Sequence, residues 1–285
     1  MTRTLLTLGH GYSARALARL LLDQGGWRII GTTRTAGGAD RLREQGIEAL
    51  VWPGTDLTGV IAEATHILAS AAPDSGGDPF LPDIADALRL ARPEWIGYLS
   101  TTGVYGDHQG AWVDETTPLT PTTRRGQQRV LAEGQWQALA AETGLPLHIF
   151  RLAGIYGPGR GPFAKVRDGT ARRIVKPGQV FSRIHVEDIA RVLAASIVRP
   201  DPGAIYNVCD DDPAPPEDVI AHAARLLGLP VPPAVAFGDA EMTPMARSFY
   251  AESKRVRNDR IKGELGVTLA YPGYREGLAA LLAED

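Results

Sequence analysis

The chain holds one cysteine, Cys209. No intramolecular disulfide can form, which fits a reducing compartment. Neither sign of charge is in excess: 30 Lys and Arg face 33 Asp and Glu, for a net of -3. That balance excludes a nucleic-acid footprint over the whole molecule. No window approaches the ~18 consecutive apolar residues of a membrane span. Residues 1–8 run straight into a strand pattern, without the apolar core or the small-residue cleavage site of a secretory leader. Internal repeats and low-complexity tracts are absent. The expectation is a cytoplasmic, globular protein with no membrane and no nucleic-acid partner.

What is present is alternation. Short apolar runs fall at residues 5–8, 27–30, 47–51, 67–71 and 95–99. Helical spacing lies between them, notably at 14–22 and 84–91. Such alternation predicts an α/β fold of Rossmann type, a doubly wound parallel sheet with helices on both faces. A long helix is predicted over 123–142, stopped by Gly144 and Pro146. A sixth strand follows at 147–152, then a helix at 186–197 and a strand at 205–208. After Asp210 prolines punctuate two or three helices. We expect residues 1–157, completed by 183–209, to form a nucleotide-binding domain. Residues 158–182 and 210–285 are expected to form a smaller, mostly helical substrate lobe.

The first strand runs into Gly9-His10-Gly11-Tyr12-Ser13-Ala14, which opens a helix. A glycine in the tight turn, a second that lets the backbone approach a pyrophosphate, and a small residue for close helix packing are what a dinucleotide site requires. The helix N-terminus then offers unpaired N–H groups and a partial positive charge. A nicotinamide dinucleotide is therefore the expected cofactor. The second strand ends in Gly31-Thr32-Thr33-Arg34. It lacks the acidic residue that binds a ribose 2′-hydroxyl, while Arg34 suits a 2′-phosphate. Arg15 is placed to reach the same group. NADP is thus preferred over NAD. Asp56 is a candidate partner for the adenine and equally a helix cap.

Three further motifs follow in order. Ser100-Thr101-Thr102-Gly103-Val104-Tyr105-Gly106 closes the fifth strand. Arg151-Leu152-Ala153-Gly154-Ile155-Tyr156-Gly157-Pro158-Gly159 spans the sixth, and Arg183-Ile184-His185-Val186-Glu187-Asp188-Ile189-Ala190 comes next. Together with the glycine turn they resemble the extended short-chain dehydrogenase/reductase family, the NAD-dependent epimerases and dehydratases. The likeness extends to Tyr271-Pro272 and Tyr274-Arg275-Glu276-Gly277-Leu278. It implies a nicotinamide cofactor and a catalytic Ser/Thr, Tyr and Lys. Thr101 matches the hydroxyl that bonds the substrate's reacting oxygen. The Tyr and Lys of the family lie one turn apart on the long helix. Here that register sets Arg125 and Arg129 in their places, so the chain reads as an atypical member lacking the pair. Arg129 can still hold the nicotinamide ribose. Arg125 cannot do the tyrosine's work, because a guanidinium has no usable proton equilibrium near neutrality. It suits an oxyanion or a carboxylate instead. Thr102-Gly103 stand where family dehydratases carry Asp-Glu, which counts against elimination of water. The family often dimerises through this helix, so a homodimer is expected.

Tyr105, at the sheet edge, is one candidate for the missing acid. Asp107, His108, Asp114 and Glu115 lie in the loop beyond, and histidine is the type that titrates near neutrality. His10 is expected against cofactor or solvent, and Tyr156 beside the nicotinamide or substrate. His148, His185 and Asp188 read as structural. Arg160, Lys165, Arg167, Arg172, Arg173, Lys176 and Arg183 fall close together with one acid, Asp168, among them. Guanidinium groups recognise phosphate and carboxylate, so an anionic small-molecule substrate is expected. Two functions follow: an oxidoreductase or epimerase using NADP or NAD on such a substrate, or a non-catalytic NADP(H) sensor. No metal site is expected.

Overall fold

The computed structural model describes residues 3–284. Met1 and Thr2, where the expected leaderless start begins, lie outside the described residues. The first half runs β1 (Arg3–Leu8), α1 (Tyr12–Gln24), β2 (Trp27–Thr33), α2 (Ala36–Arg43), β3 (Glu48–Val51), α3 (Thr58–Glu63), β4 (His66–Ala69), α4 (Leu81–Leu90), β5 (Trp95–Thr101), β6 (Trp112–Val113), α5 (Arg124–Thr143) and β7 (Leu147–Leu152). There follow β8 (Gly154–Tyr156), α6 (Phe163–Arg167), β9 (Arg173–Val175), β10 (Arg183–His185), α7 (Val186–Val198), β11 (Ile205–Val208), α8 (Pro216–Leu226), β12 (Ala234–Ala236), α9 (Pro244–Phe249), β13 (Arg255–Val256), α10 (Asp259–Gly263) and α11 (Tyr274–Ala283).

Seven strands form one sheet in the order β11-β7-β5-β4-β1-β2-β3. Every pair is parallel. The chain winds outward in both directions from β1, so the expected doubly wound sheet is borne out. The strand order reverses between β1 and β4, which is where such sheets bind ligands at their carboxyl ends. Both faces are covered. Apolar residues of α1 and α7 build the core on one side, and those of α3, α4 and α5 build it on the other. The central strand β5 is buried almost throughout, as a strand covered on both faces must be. Gly97 within it leaves room for the Trp95 indole, which would stand 2.1 Å from any Cβ there. In α1, Ala14, Leu17, Ala18 and Leu21 are buried, a helical stripe facing the sheet.

The C-terminal segment departs from the sequence reading. Four helices, α8 to α11, follow Asp210 rather than two or three. Two of them start with Pro216 and Pro244. A proline at the first helical position forfeits no hydrogen bond, so these residues open helices instead of separating them. A short parallel pair, β9 with β12, also interrupts the expected helical character.

Candidate active site at the sheet edge

The glycine turn is clamped on two sides. Gly9 N–H donates to Thr32 Oγ1 at 2.7 Å, and the Ser70 hydroxyl donates to Gly9 O. Gly9 has φ +87°, and a Cβ there would lie 3.0 Å from Ala71 N. Only glycine fits such a turn without strain. Gly11 is different: nothing lies within 4 Å of where its Cβ would stand. It caps α1 without a side-chain hydrogen bond, and the first turn carries no acid. The leading amides of α1 therefore have no capping side chain. A pyrophosphate fits this cradle.

The flanking residues divide. Ser13 and Ala14 are buried under the turn. His10 does not face solvent or the cleft as expected. Its ring lies against Gly31, where a Cβ would meet Nδ1 at 2.9 Å, and Nδ1 pairs with Thr7 Oγ1 at 2.7 Å. Burial first, then the charge of Arg15, pushes its pKa down to about 4. Tyr12 reaches over to the turn after β8, where its hydroxyl donates to Pro158 O at 2.9 Å. Arg15 is exposed. With Arg19 and Arg191 it borders a groove of about 710 Å³ between α1 and α7. That groove is lined by none of Thr101, Arg125 and Arg129. Arg34 is exposed at the end of β2. Asp56 Oδ1 accepts both Thr58 N–H and the Thr58 hydroxyl, at 2.9 and 2.7 Å. This local turn leads into α3, whose N-cap is Leu57.

Thr101 ends β5, half-exposed at the rim. Its Oγ1 accepts Gly103 N–H at 3.2 Å, which leaves the hydroxyl hydrogen free to donate. The next four residues form a single tight turn, Thr102–Tyr105. The first turn of α5 docks on it so closely that a Cβ on Gly126 would stand 2.8 Å from Gly103 O. This approach sets the backbone of Arg125 next to the turn that follows Thr101. Arg129, one turn on, is anchored by Nη1. That atom donates to Leu99 O at 2.8 Å, the Tyr98 hydroxyl at 3.0 Å and Ala71 O at 3.4 Å. Ala71 is also the residue that abuts Gly9. A fixed positive charge therefore stands against the glycine turn.

Tyr105 is a correction. It is fully buried. Its hydroxyl donates to Asn207 Oδ1 at 2.7 Å and accepts from Arg151 Nη1 at 3.0 Å. Burial pushes its pKa up to about 12. It ties β5 to its neighbours and cannot serve as an acid in the cleft. Tyr156 is likewise inside the protein, donating to Gly273 O at 3.3 Å, with burial raising its pKa. His108 packs on its own turn, with Nε2 3.1 Å from Tyr105 O. His148, His185 and Asp188 are structural, as expected. His148 pairs with Ile96 O and Asp201 N, His185 caps α7, and Asp188 accepts the amides of Ala270 and Tyr271.

The basic stretch is dispersed. Arg172 and Arg173 donate to carbonyls of Glu241, Glu217 and Pro232. Lys176 donates to Tyr250 O. Arg183 Nη1 donates to Phe181 O and Ala214 O at 2.8 and 3.0 Å. Residues from far along the chain complete the rim. Phe249 lies under the Arg125 guanidinium at 5.5 Å, and Lys254 donates to Gly106 O at 2.7 Å. Tyr250 and Lys254 carry a Tyr-x-x-x-Lys spacing outside the long helix. They fall after α9 rather than within a helix, so no single helical face presents them. Sequence reasoning also passed over Glu133, whose signal was a carboxylate on the buried side of α5.

A family model described as the NAD dependent epimerase/dehydratase family matches residues 82–209. Protein YeeZ of Escherichia coli K12 is 32% identical over 282 residues, covering 93% of this chain and 95% of its own length. A functionally unknown conserved protein from Silicibacter pomeroyi DSS is 65% identical, with a TM-score of 0.92 and 99% of each chain covered. The UDP-glucuronic acid 4-epimerase of Bacillus cereus, solved in complex with NAD, shares the fold. It has a TM-score of 0.80 at 17% identity, with 98% of this chain and 96% of that one covered.

Proposed function

The chain belongs to the NAD-dependent epimerase/dehydratase family of extended short-chain dehydrogenase/reductase enzymes, and from that premise we propose that it is a nicotinamide-dependent oxidoreductase or epimerase acting on a small anionic substrate. The observation that carries this reading is the position of Arg129, fixed on Leu99 O and reaching Ala71 O beside the glycine turn. A cation held there meets the ribose end of a dinucleotide whose pyrophosphate lies on the amides of α1. Exposed Arg34 at the end of β2, where no carboxylate stands, supports NADP over NAD. Residues 158–182 and 210–285 supply the substrate lobe. Numbers of relatives with sugar-nucleotide substrates share the fold, and this reading takes from them only the reaction class.

A bound nicotinamide supplies hydride exchange. The chain's own residues orient and charge the substrate. The Thr101 hydroxyl donates to the reacting oxygen. Arg125 pairs with a substrate carboxylate or stabilises an oxyanion through its fixed fork of donors. Its charge lowers the cost of negative charge at that oxygen without delivering a proton. This same property favours the second reading, a non-catalytic NADP(H) sensor. A screen of small organic acids, followed at the nicotinamide absorbance, separates the two. The enzyme reading expects one or more compounds to change the absorbance, with loss of the signal in Thr101→Val. Tight NADPH binding with no responding compound supports the sensor.

A further inference from the structure

Between β12 and β13 the chain crosses the rim of the cleft in a strap that includes α9. Both ends of the strap are tied down. At the start, β12 pairs with β9. At the end, Glu252 and Lys254 form an ion pair at 3.0 Å with both side chains 10% exposed. Glu252 takes the Thr122 hydroxyl at 3.0 Å, and Lys254 holds Gly106 O. The middle is held otherwise. No residue of α9 is buried. Its Met245 and Phe249 are 66% and 51% exposed, and their i,i+4 spacing sets them on one face. Phe249 meets the catalytic helix through the Arg125 guanidinium, 5.5 Å from the ring centroid. Arg247 lies over Phe237 at 5.0 Å, inside the strap itself, while Arg172 holds Glu241 O and Lys176 holds Tyr250 O on either side of α9.

We propose that residues 242–249 form a lid over the cleft, latched by the cation–π contact of Arg125 with Phe249. This rests on the reading of the Thr101 rim as the substrate site. A segment with buried anchors and no buried middle opens at low cost. A cation–π contact uses no N–H as a hydrogen-bond donor, so the guanidinium can still meet an anion. Phe249 is thus a positioning residue. It holds Arg125 in the orientation that meets a substrate anion while bringing the apolar face of α9 over the remainder of that substrate.

Limited trypsin digestion of the full chain tests the latch without any substrate, by following the fragment that begins at Ser248. Proteolysis in the fast-reclosing regime tracks the population of the open form. An exposed cation–π contact is worth about two- to five-fold in that population. Phe249→Ala and Arg125→Ala are each expected to speed cleavage after Arg247 by this factor, with the double variant no faster than either alone. Phe249→Trp is expected to cut no faster than the unaltered chain. Wild-type cleavage rates in both alanine variants, or additive effects in the double variant, overturn the latch. Titration of the same proteins with NADP⁺ keeps the cases apart. Lost nucleotide binding in the unaltered chain strikes the functional reading, whereas the cleavage result strikes the lid.

Discussion

Glu133 of α5 and Arg151 of β7 form an ion pair at 2.8 Å with side chains 2% and 4% exposed. The pair sits beneath the helix that carries Arg125 and Arg129. Glu133 also accepts the Ser100 hydroxyl, and Arg151 extends the chain to the Tyr105 hydroxyl. Together these bonds fix α5 on β5 and β7, and so fix the two arginines relative to the Thr101 rim. Removing one partner strands the other charge in the interior. Glu133→Ala is expected to cost about 3–5 kcal/mol in chemical denaturation. The double change Glu133→Leu, Arg151→Met is expected to recover most of it.

Gly9 and Gly11 separate fold from function. Gly9→Ala forces a Cβ to 3.0 Å from the Ala71 backbone at a positive φ, which is expected to cost about 1–3 kcal/mol of stability. Gly11→Ala meets nothing within 4 Å. It is expected to leave the melting temperature unchanged and to weaken NADP⁺ binding, because the added methyl enters the approach to the cradle. Thermal melts and calorimetry on both variants check the contrast.

On the proposed reading, Arg129→Ala removes a charge-assisted contact to the cofactor. The loss of about 1.5–3 kcal/mol is expected as a roughly ten- to hundred-fold rise in the Kd for NADP⁺. Arg129→Lys restores part of it, since the ammonium keeps the charge without the fork. Arg34→Ala is expected to weaken NADP⁺ selectively and leave NAD⁺ binding nearly unchanged. Equal losses for both nucleotides contradict a 2′-phosphate role.

Asp210 gives a pH signature. Burial pushes its carboxyl up to about 8, far above its unfolded value. Between those limits the folded state holds a proton that the unfolded state releases. Stability therefore falls as pH rises through this window. His10 and His66, both lowered to about 4 by burial, act in the opposite sense below their unfolded value of 6.5. Above it only the carboxyl remains of these three. Asp210→Asn is expected to flatten the decline between about pH 6.5 and 8, read from urea midpoints at each pH. An unchanged slope contradicts the buried, protonated carboxyl.

The sheet was legible because its signals are local. Period, turn glycines and the strand–helix order each sit within a few residues of what they specify. The glycine turn that opens α1 was legible for the same reason. Tyr105 did not, because nothing near it in sequence tells that Asn207 and Arg151 enclose its hydroxyl. The dispersal of the basic stretch was hidden in the same way, since its carbonyl partners lie tens of residues away. Phe249 was invisible as a rim residue, because α9 reaches the cleft by tertiary folding alone. Pro216 misled, since proline punctuates a sequence whether it ends a helix or begins one.

Calorimetric titration of the purified chain with NADP⁺ and NAD⁺ tests the central claim most directly. Saturable binding of at least one nucleotide, tighter for NADP⁺ and weakened by Gly11→Ala and Arg129→Ala, is the predicted result. No heat with either nucleotide, from protein that melts cooperatively, contradicts it.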